Sequence, residues 1–365
     1  MKLIRTLLPV GLVLASLTPV WAQPTLKPIL EEACEKYGLS AMGAVVIVDG
    51  QIGEPQTVGV IGAGLDVAVP TDARWHLGSC SKSLTAMLAA VMVEQGKLRW
   101  DMPISEALAG TDIEIHPDFQ TATIEQLLGH RAGVAKRMVG RPIWGKLRRG
   151  GLTPVEQRHL ITQTYLGEAP VTPPGTAFKY TNVGYVIVGH IIELMEGRPY
   201  EELMPELVFE PLGLASAGFG PPQGDDQPRG HNANIPLPPT HRSADNPEGL
   251  APAGRIHMSL QDWARYAQIH LRAARGESFE LLTEASYKQL HTPLVGQTYA
   301  MGWGRPTREW TDGPALSHAG SNTLWRAVIW IAPGRNAAIL TTTNHGSLAA
   351  RAAEKDVLKA IINQL

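Results

Sequence analysis

Read from its N-terminal end, the chain changes hydrophobic period several times. PTLKPILEEACEKYG (24–38) carries apolar positions at helical spacing and closes on Gly38. AMGAVVIVDGQIGEPQTVGVIG (41–62) holds two β-rich runs around Asp49-Gly50, a hairpin signal. An apolar, helix-forming run follows Ser79. From about 104 to 290 the pattern is helical with long loops. TIEQLLGH, VEQRHLITQTYL, VGYVIVGHIIELMEG and SLQDWARYAQIHLRAAR all repeat apolar residues at helical spacing. The loop from Pro221 to Arg255 is rich in Pro, Gly, Asn and Asp and is expected to border a functional cleft. Beyond 298, AMGWGRP, PALSHAG, TLWRAVIWIAP and NAAILTTTN read as strands, and LAARAAEKDVLKAIINQ as a final helix.

Strands at both ends with helices between them predict an α+β fold. One antiparallel sheet is assembled from the two terminal segments and flanked by helices, with a helical lobe inserted between its halves. The expected division is a sheet lobe at about 23–103 and 291–365 and a helical lobe at about 104–290. No internal repeat is visible.

Composition narrows the class. Of 365 residues, 44% are apolar and 18% charged, and the net charge is −2, the balance of a globular chain. No basic run is long enough to track a phosphate backbone, so nucleic acid is not an expected partner. The densest cationic patch, WGKLRRGG, reads as a solvated loop or helix end. MKLIR followed by TLLPVGLVLASLTPV and VWA reads as a secretory leader over 1–22, with Val20 and Ala22 at the −3 and −1 positions. A mature chain of 23–365 in the periplasm or secreted, without an integral membrane span, is the expectation; an uncleaved anchor is the alternative. Cys34 and Cys80 are expected as free, buried thiols. There is no HExxH, paired-cysteine motif, Gly-x-Ser-x-Gly elbow or Gly-rich phosphate loop, and no metal or organic cofactor is implied.

Three short motifs carry chemistry. In GSCSK, Ser79 and Lys82 stand three apart on a helix start, so Oγ and Nζ share a face. Free N–H groups of the first turn can stabilise an oxyanion, and a buried lysine loses basicity and can act as a base. Alone, the motif reads equally well as an N-cap serine with an exposed lysine. Tyr180-Thr181-Asn182 lies between a Pro-Gly turn and a strongly amphipathic helix, offering a phenol for proton transfer and an amide for a carbonyl; alone, it reads as a helix start with a packing tyrosine. His318-Ala319-Gly320 is expected on an edge strand facing the cleft, with Gly320 permitting close substrate approach.

In this order the motifs resemble the serine β-lactamase and penicillin-binding superfamily. The branch is that of class C β-lactamases, D-alanyl-D-alanine carboxypeptidases and β-lactamase-like carboxylesterases. HLGSCSKSLTA, TIEQLLGHRAGV, PPGTAFKYTNVGY and APAGRIHMSLQDWARY look like family segments in family order. The resemblance implies a two-lobed β-lactamase/DD-peptidase-like fold and a serine hydrolase working through an acyl-enzyme. It implies Ser79 as nucleophile, Lys82 and Tyr180 as proton carriers, and Asn182, His318, Gly320 and Ser321 as substrate-binding positions. The amides of Ser79 and Ser321 would form the oxyanion hole. His130 is read as structural. Relatives that act on carboxylated substrates usually carry Thr or Ser where this chain has Ala319. The expected substrate is a small molecule or cell-wall peptide. Ester, β-lactam and D-alanyl peptide hydrolysis stay open, with esterase or peptidase-like activity favoured. The rival class is a penicillin-binding receptor without turnover.

Overall fold

The computed structural model describes residues 23–135 and 138–365, and the expected leader lies outside them. Helix α1 (Lys27–Tyr37) has Pro28 in its first turn and ends at Gly38, left-handed at φ 63°. Strand β1 (Ala41–Val48) reverses at Asp49 and Gly50, at φ 50° and 72°, as a two-residue hairpin turn requires. The returning chain pairs with β1 in two pieces, β2 (Gln51–Ile52) and β3 (Gln56–Gly62); β4 (Leu65–Ala68) follows.

The other half of the sheet comes from the far end of the chain. Strands β8 (Leu316–Ser321), β9 (Arg326–Ala332) and β10 (Ala337–Thr343) form a meander. Strand β10 pairs antiparallel with β1, Val45 opposite Leu340, giving the order β8-β9-β10-β1-β3-β4 with β2 beside β1. Strand β1 is covered on both faces, which is why its sequence is apolar without alternation. Met42, Ala44 and Val46 pack with Leu30 of α1 and with Val357 and Ile361 of the last helix, α6 (Leu348–Ile362). Ala41, Val45 and Ile47 point the other way, into the main core with Leu260 and Trp263 of α5 (Leu260–Ala274).

Between these halves lie α2 (Ser81–Glu94), α3 (Pro154–Leu166) and α4 (Asn182–Glu196). A second sheet, β5 (Arg74–His76), β7 (Ile256–Ser259) and β6 (Gly218–Phe219), delivers the chain to the start of α2. Every residue of α2 from Ser81 to Met92 is buried, so its hydroxyls need protein partners. Ser81 Oγ donates to Gly78 O at 2.8 Å and accepts from Ile256 N at 3.1 Å, and Thr85 Oγ1 donates to Pro252 O at 2.7 Å. These bonds tie α2 to the segment 251–256. Arg158 of α3, fully buried, donates to Glu193 Oε1 of α4 at 2.9 Å and to Glu201 Oε1 at 2.8 Å.

One strand expectation fails. AMGWGRP makes only single bridges, Tyr299 with Gly304 and Gly304 with Ser317. Gly302, at φ 81°, presses against α2 so closely that a Cβ would lie 2.5 Å from Ser83 Cα. The chain leaves ladder geometry to make that contact. The thiols are both free, but Cys34 is only partly buried. Among the described residues no helix is long and apolar enough to cross a membrane.

Candidate active site

Ser79 sits in a tight turn (Gly78–Cys80) between β5 and α2, against the edge strand β8. The fit is backbone to backbone. A Cβ on Gly78, at φ 51°, would lie 2.4 Å from Ser321 N. One on Gly320 would lie 1.9 Å from Leu77 O and 2.9 Å from Ser79 N. Gly320 was expected to admit substrate; it instead admits the Ser79 turn. This contact brings the Ser79 and Ser321 amides to one place, the geometry an oxyanion pocket needs.

Lys82, one turn further on, is fully buried. Its Nζ lies 3.2 Å from Ser79 Oγ, 2.8 Å from Asn182 Oδ1 and 2.7 Å from Ala253 O. None of the ion pairs among the described residues includes Lys82. Burial pushes its pKa down from 10.5 to about 7. All three neighbours are oxygens within hydrogen-bond reach of Nζ, and none of them is a carboxylate. The Tyr180 and Tyr185 rings wall the site, their centroids 5.0 and 5.5 Å from Nζ.

Burial raises the Tyr180 phenol above the ordinary range, with Ser79 acting weakly in the opposite direction. It therefore keeps its proton when Lys82 has lost one. Thr181 caps α4 by accepting from Val183 N at 3.1 Å, which sets Asn182 as the first helical residue beside Lys82. His130 stays neutral, held well below its ordinary pKa by burial. Its Nδ1 accepts from Thr181 N at 3.3 Å, and its ring packs 4.3 Å from that of Tyr180.

His318 is on the edge strand, but both its ring nitrogens are occupied. Nδ1 donates to Ala319 O at 3.1 Å, and Nε2 accepts from Tyr299 Oη at 3.0 Å. Burial lowers its pKa to about 3, so it is uncharged. Ala319 and Ser321 are exposed on the strand. Arg326, at the start of the neighbouring strand β9, pairs with Glu354. Cys80 points away from the cleft, with Sγ 3.9 Å from Ala327 O and a thiol pushed far above its usual pKa by burial. Beside Asn182 a cavity of about 110 Å³ is lined by Met138, Val139, Trp144, Val183, Asn246 and Leu250. Among the described residues no group of three or more His, Cys, Asp or Glu side chains could hold a metal ion.

Ser79, Lys82, Tyr180, Asn182, Gly320 and Ser321 thus converge on one cleft, and the buried His318 ring stands 6.3 Å from that of Tyr180. Sequence reasoning missed Ala253 and Tyr299. A backbone carbonyl has no sequence signature beyond the APAGRIHMSLQDWARY segment that carries it, and nothing around Tyr299 distinguished it from a packing residue.

Comparison with known proteins agrees with this architecture. The sequence model of the Beta-lactamase family matches residues 26–364, and the chain belongs to that family. Penicillin-binding protein 4 of Amycolatopsis lactamdurans is 26% identical over 82% of this chain and 80% of its own length. The unguisins hydrolase ungD' of Aspergillus campestris is 23% identical over 87% of this chain, which spans 60% of that protein. Two solved structures share the fold. The octameric penicillin-binding protein homologue from Pyrococcus abyssi has a TM-score of 0.74 at 21% identity, over 93% of this chain and 76% of that one. A D-stereospecific amidohydrolase from Streptomyces has 0.69 at 18% identity, over 92% and 98%. Family membership makes the protein a β-lactamase-related serine hydrolase.

The Gly320 contact is directly testable. Gly320→Ala should push the nucleophile turn off β8 by the overlap its Cβ creates. A displacement of about 1 Å near reacting atoms is worth roughly a hundredfold in rate. Steady-state hydrolysis of a p-nitrophenyl ester should fall by about that factor, while Ala319→Ser, on the exposed side of the same strand, should stay within a few-fold of wild type.

Proposed function

We propose that this protein is an exported hydrolase that forms an acyl-enzyme on Ser79 and acts on uncharged esters or amides. The observation that carries the reading is Lys82, buried without a counter-charge, its amine 3.2 Å from Ser79 Oγ and titrating near 7. As the carbonyl carbon is attacked by Ser79 Oγ, the hydroxyl proton passes to the Lys82 lone pair. The developing oxyanion accepts from the Ser79 and Ser321 amides. Tyr180, still a phenol, hands its proton to the leaving alkoxide or amine and is reprotonated through Lys82. Water then enters by the same route in reverse and frees the acid. Asn182 Oδ1 is committed to Lys82, which leaves its NH2 group as the donor for a second substrate carbonyl.

The preference for uncharged substrates rests on what the strand edge lacks. A carboxylate there would meet Ala319, with no hydroxyl, and His318, with no charge and no spare donor. The apolar cavity beside Asn182 suits a small hydrocarbon group of the acyl part. Relatives named for penicillin binding, D-stereospecific amide hydrolysis and unguisin hydrolysis are compatible with acyl transfer from an amide or related carbonyl. The leader pattern of residues 1–22 supports export to the periplasm or medium.

Ser79 is the first test. A fluorophosphonate should label the wild-type chain on the peptide containing Ser79, and Ser79→Ala should abolish both labelling and turnover. A label on Cys80 or on another serine would sink the assignment. The pH dependence follows from Lys82. Its amine is the active form, so kcat/KM for a neutral ester should fall tenfold per pH step below about 7 and level off above it. An acid limb centred near 4 would point to a carboxylate base instead.

Selectivity supplies an independent check. A hydrogen bond to a charged group is worth roughly 1.5–3 kcal/mol, about tenfold to 150-fold in rate. Ala319→Thr should therefore raise kcat/KM for a cephalosporin at least several-fold while leaving a p-nitrophenyl ester nearly unchanged. Equal changes on both, or a wild type already fast on cephalosporins, would show that the carboxylate is bound elsewhere.

A further inference from the structure

Two residues before Gly78, His76 ends β5 with its ring buried. Its Nδ1 accepts the Gly78 N–H at 3.1 Å, and its Nε2 lies 2.8 Å from Asp245 Oδ2. A carboxylate only accepts, so Nε2 carries the hydrogen and Nδ1 the lone pair that Gly78 needs. Asp245 comes from the Pro-rich loop between β6 and β7 and is itself buried. Its second oxygen, Oδ1, accepts from Asn322 Nδ2 at 2.8 Å and from Asn246 N at 2.7 Å, while Arg255 Nε lies 3.7 Å from Oδ2. Burial alone would push this carboxyl up; His76, Arg255 and Asn322 outweigh it and hold the group ionised. Asn322 follows Ser321 directly, and its Oδ1 accepts from Leu324 N and Trp325 N at 3.1 Å each, fixing the turn out of β8.

A single carboxylate thus grips the peptide on both sides of the reaction centre. Through His76 it holds the N–H of Gly78, immediately before Ser79. Through Asn322 it holds the residue immediately after Ser321. The two amides that face each other across the Gly78–Gly320 contact are therefore referenced to one buried atom pair. Neither Asp245 nor His76 touches Ser79 Oγ, Lys82 Nζ or Tyr180 Oη in any hydrogen bond of the structure.

We propose that Asp245 is a positioning residue for the oxyanion hole, acting through His76 on the Ser79 amide and through Asn322 on the Ser321 amide. This rests on the acyl-transfer reading of Ser79. Asp245→Asn keeps the volume but presents an NH2 group that can donate to His76 Nε2. The ring hydrogen then moves to Nδ1, and Gly78 N–H loses its acceptor. A misplaced amide should lower transition-state binding more than substrate binding, by about tenfold to a hundredfold.

The test uses the full chain, a p-nitrophenyl ester and a fluorophosphonate. For Asp245→Asn, kcat and the rate of Ser79 labelling should fall together by that factor, KM should stay within about twofold, and the melting temperature should not account for the loss. A second pair guards against a folding defect at Asp245. His76→Asn retains an oxygen on Cγ that can accept from Gly78 N–H, whereas His76→Phe has no acceptor. The asparagine variant should keep more of the labelling rate than the phenylalanine variant at matched stability. Wild-type labelling rates in Asp245→Asn, a loss confined to KM, or equal rates in the two His76 variants would overturn the inference while leaving the acyl-enzyme reading intact. A wild-type chain that is never labelled on Ser79 would overturn both.

Discussion

Lys82 is a primary amine with no access to water and no carboxylate to pair with, and the functional half of the molecule is organised around that condition. Moving its pKa from 10.5 to about 7 disfavours the charged form by roughly 5 kcal/mol. The group persists because three separate segments supply it with oxygen partners: the turn before α2 through Ser79, α4 through Asn182, and the short helical segment before β7 through Ala253. Burial without a counter-charge favours its neutral amine near neutral pH, which exposure to water would not.

The second constraint is the approach of two backbones. A serine turn and a sheet edge meet at Gly78 and Gly320 with no side chain between them. The contact depends on the position of β8, which the pairing of β8, β9, β10 and β1 sets. The sheet is closed by strands from opposite ends of the described chain, so the position of Gly320 and Ser321 depends on long-range register. The buried His76–Asp245–Asn322 chain then hydrogen-bonds to both segments. Polar groups this deep are favourable only when fully satisfied, and here each carboxylate oxygen has a donor.

A third feature concerns the charge of the strand edge. A histidine on the strand edge suggests a cation for an anionic substrate. In the folded chain Tyr299 and the Ala319 carbonyl use both ring nitrogens, and burial removes the charge. Together with the missing hydroxyl at Ala319 this leaves the strand edge uncharged. The chemistry of a position is fixed by its neighbours as much as by its residue type.

Much of this was legible in the sequence. Local signals set local structure: Gly38 ends α1, Asp49-Gly50 makes the hairpin turn, and the unbroken apolar run of β1 reports a strand covered on both faces. The i, i+3 spacing of Ser79 and Lys82 brings them together on any helix, so that pair needed no tertiary information. The strand expected at AMGWGRP was lost because Gly302 answers to a contact with α2 that its neighbours in sequence do not encode. The role of Gly320, the neutrality of His318, the Ala253 carbonyl and the carboxylate of Asp245 were likewise beyond sequence reading. His318 is set by Tyr299, 19 residues away and across a bend in the chain, and the others arise where segments a hundred or more residues apart meet, as Ala253 meets Lys82 and as Asp245 meets His76. Sequence by itself determined which groups this protein possesses and which stretches become helix or strand, because periodicity and turn chemistry act over a few residues. Only the tertiary structure decided which of those groups are dry, which are charged and which are already bonded, because desolvation and hydrogen-bond partnership depend on what packs around a side chain.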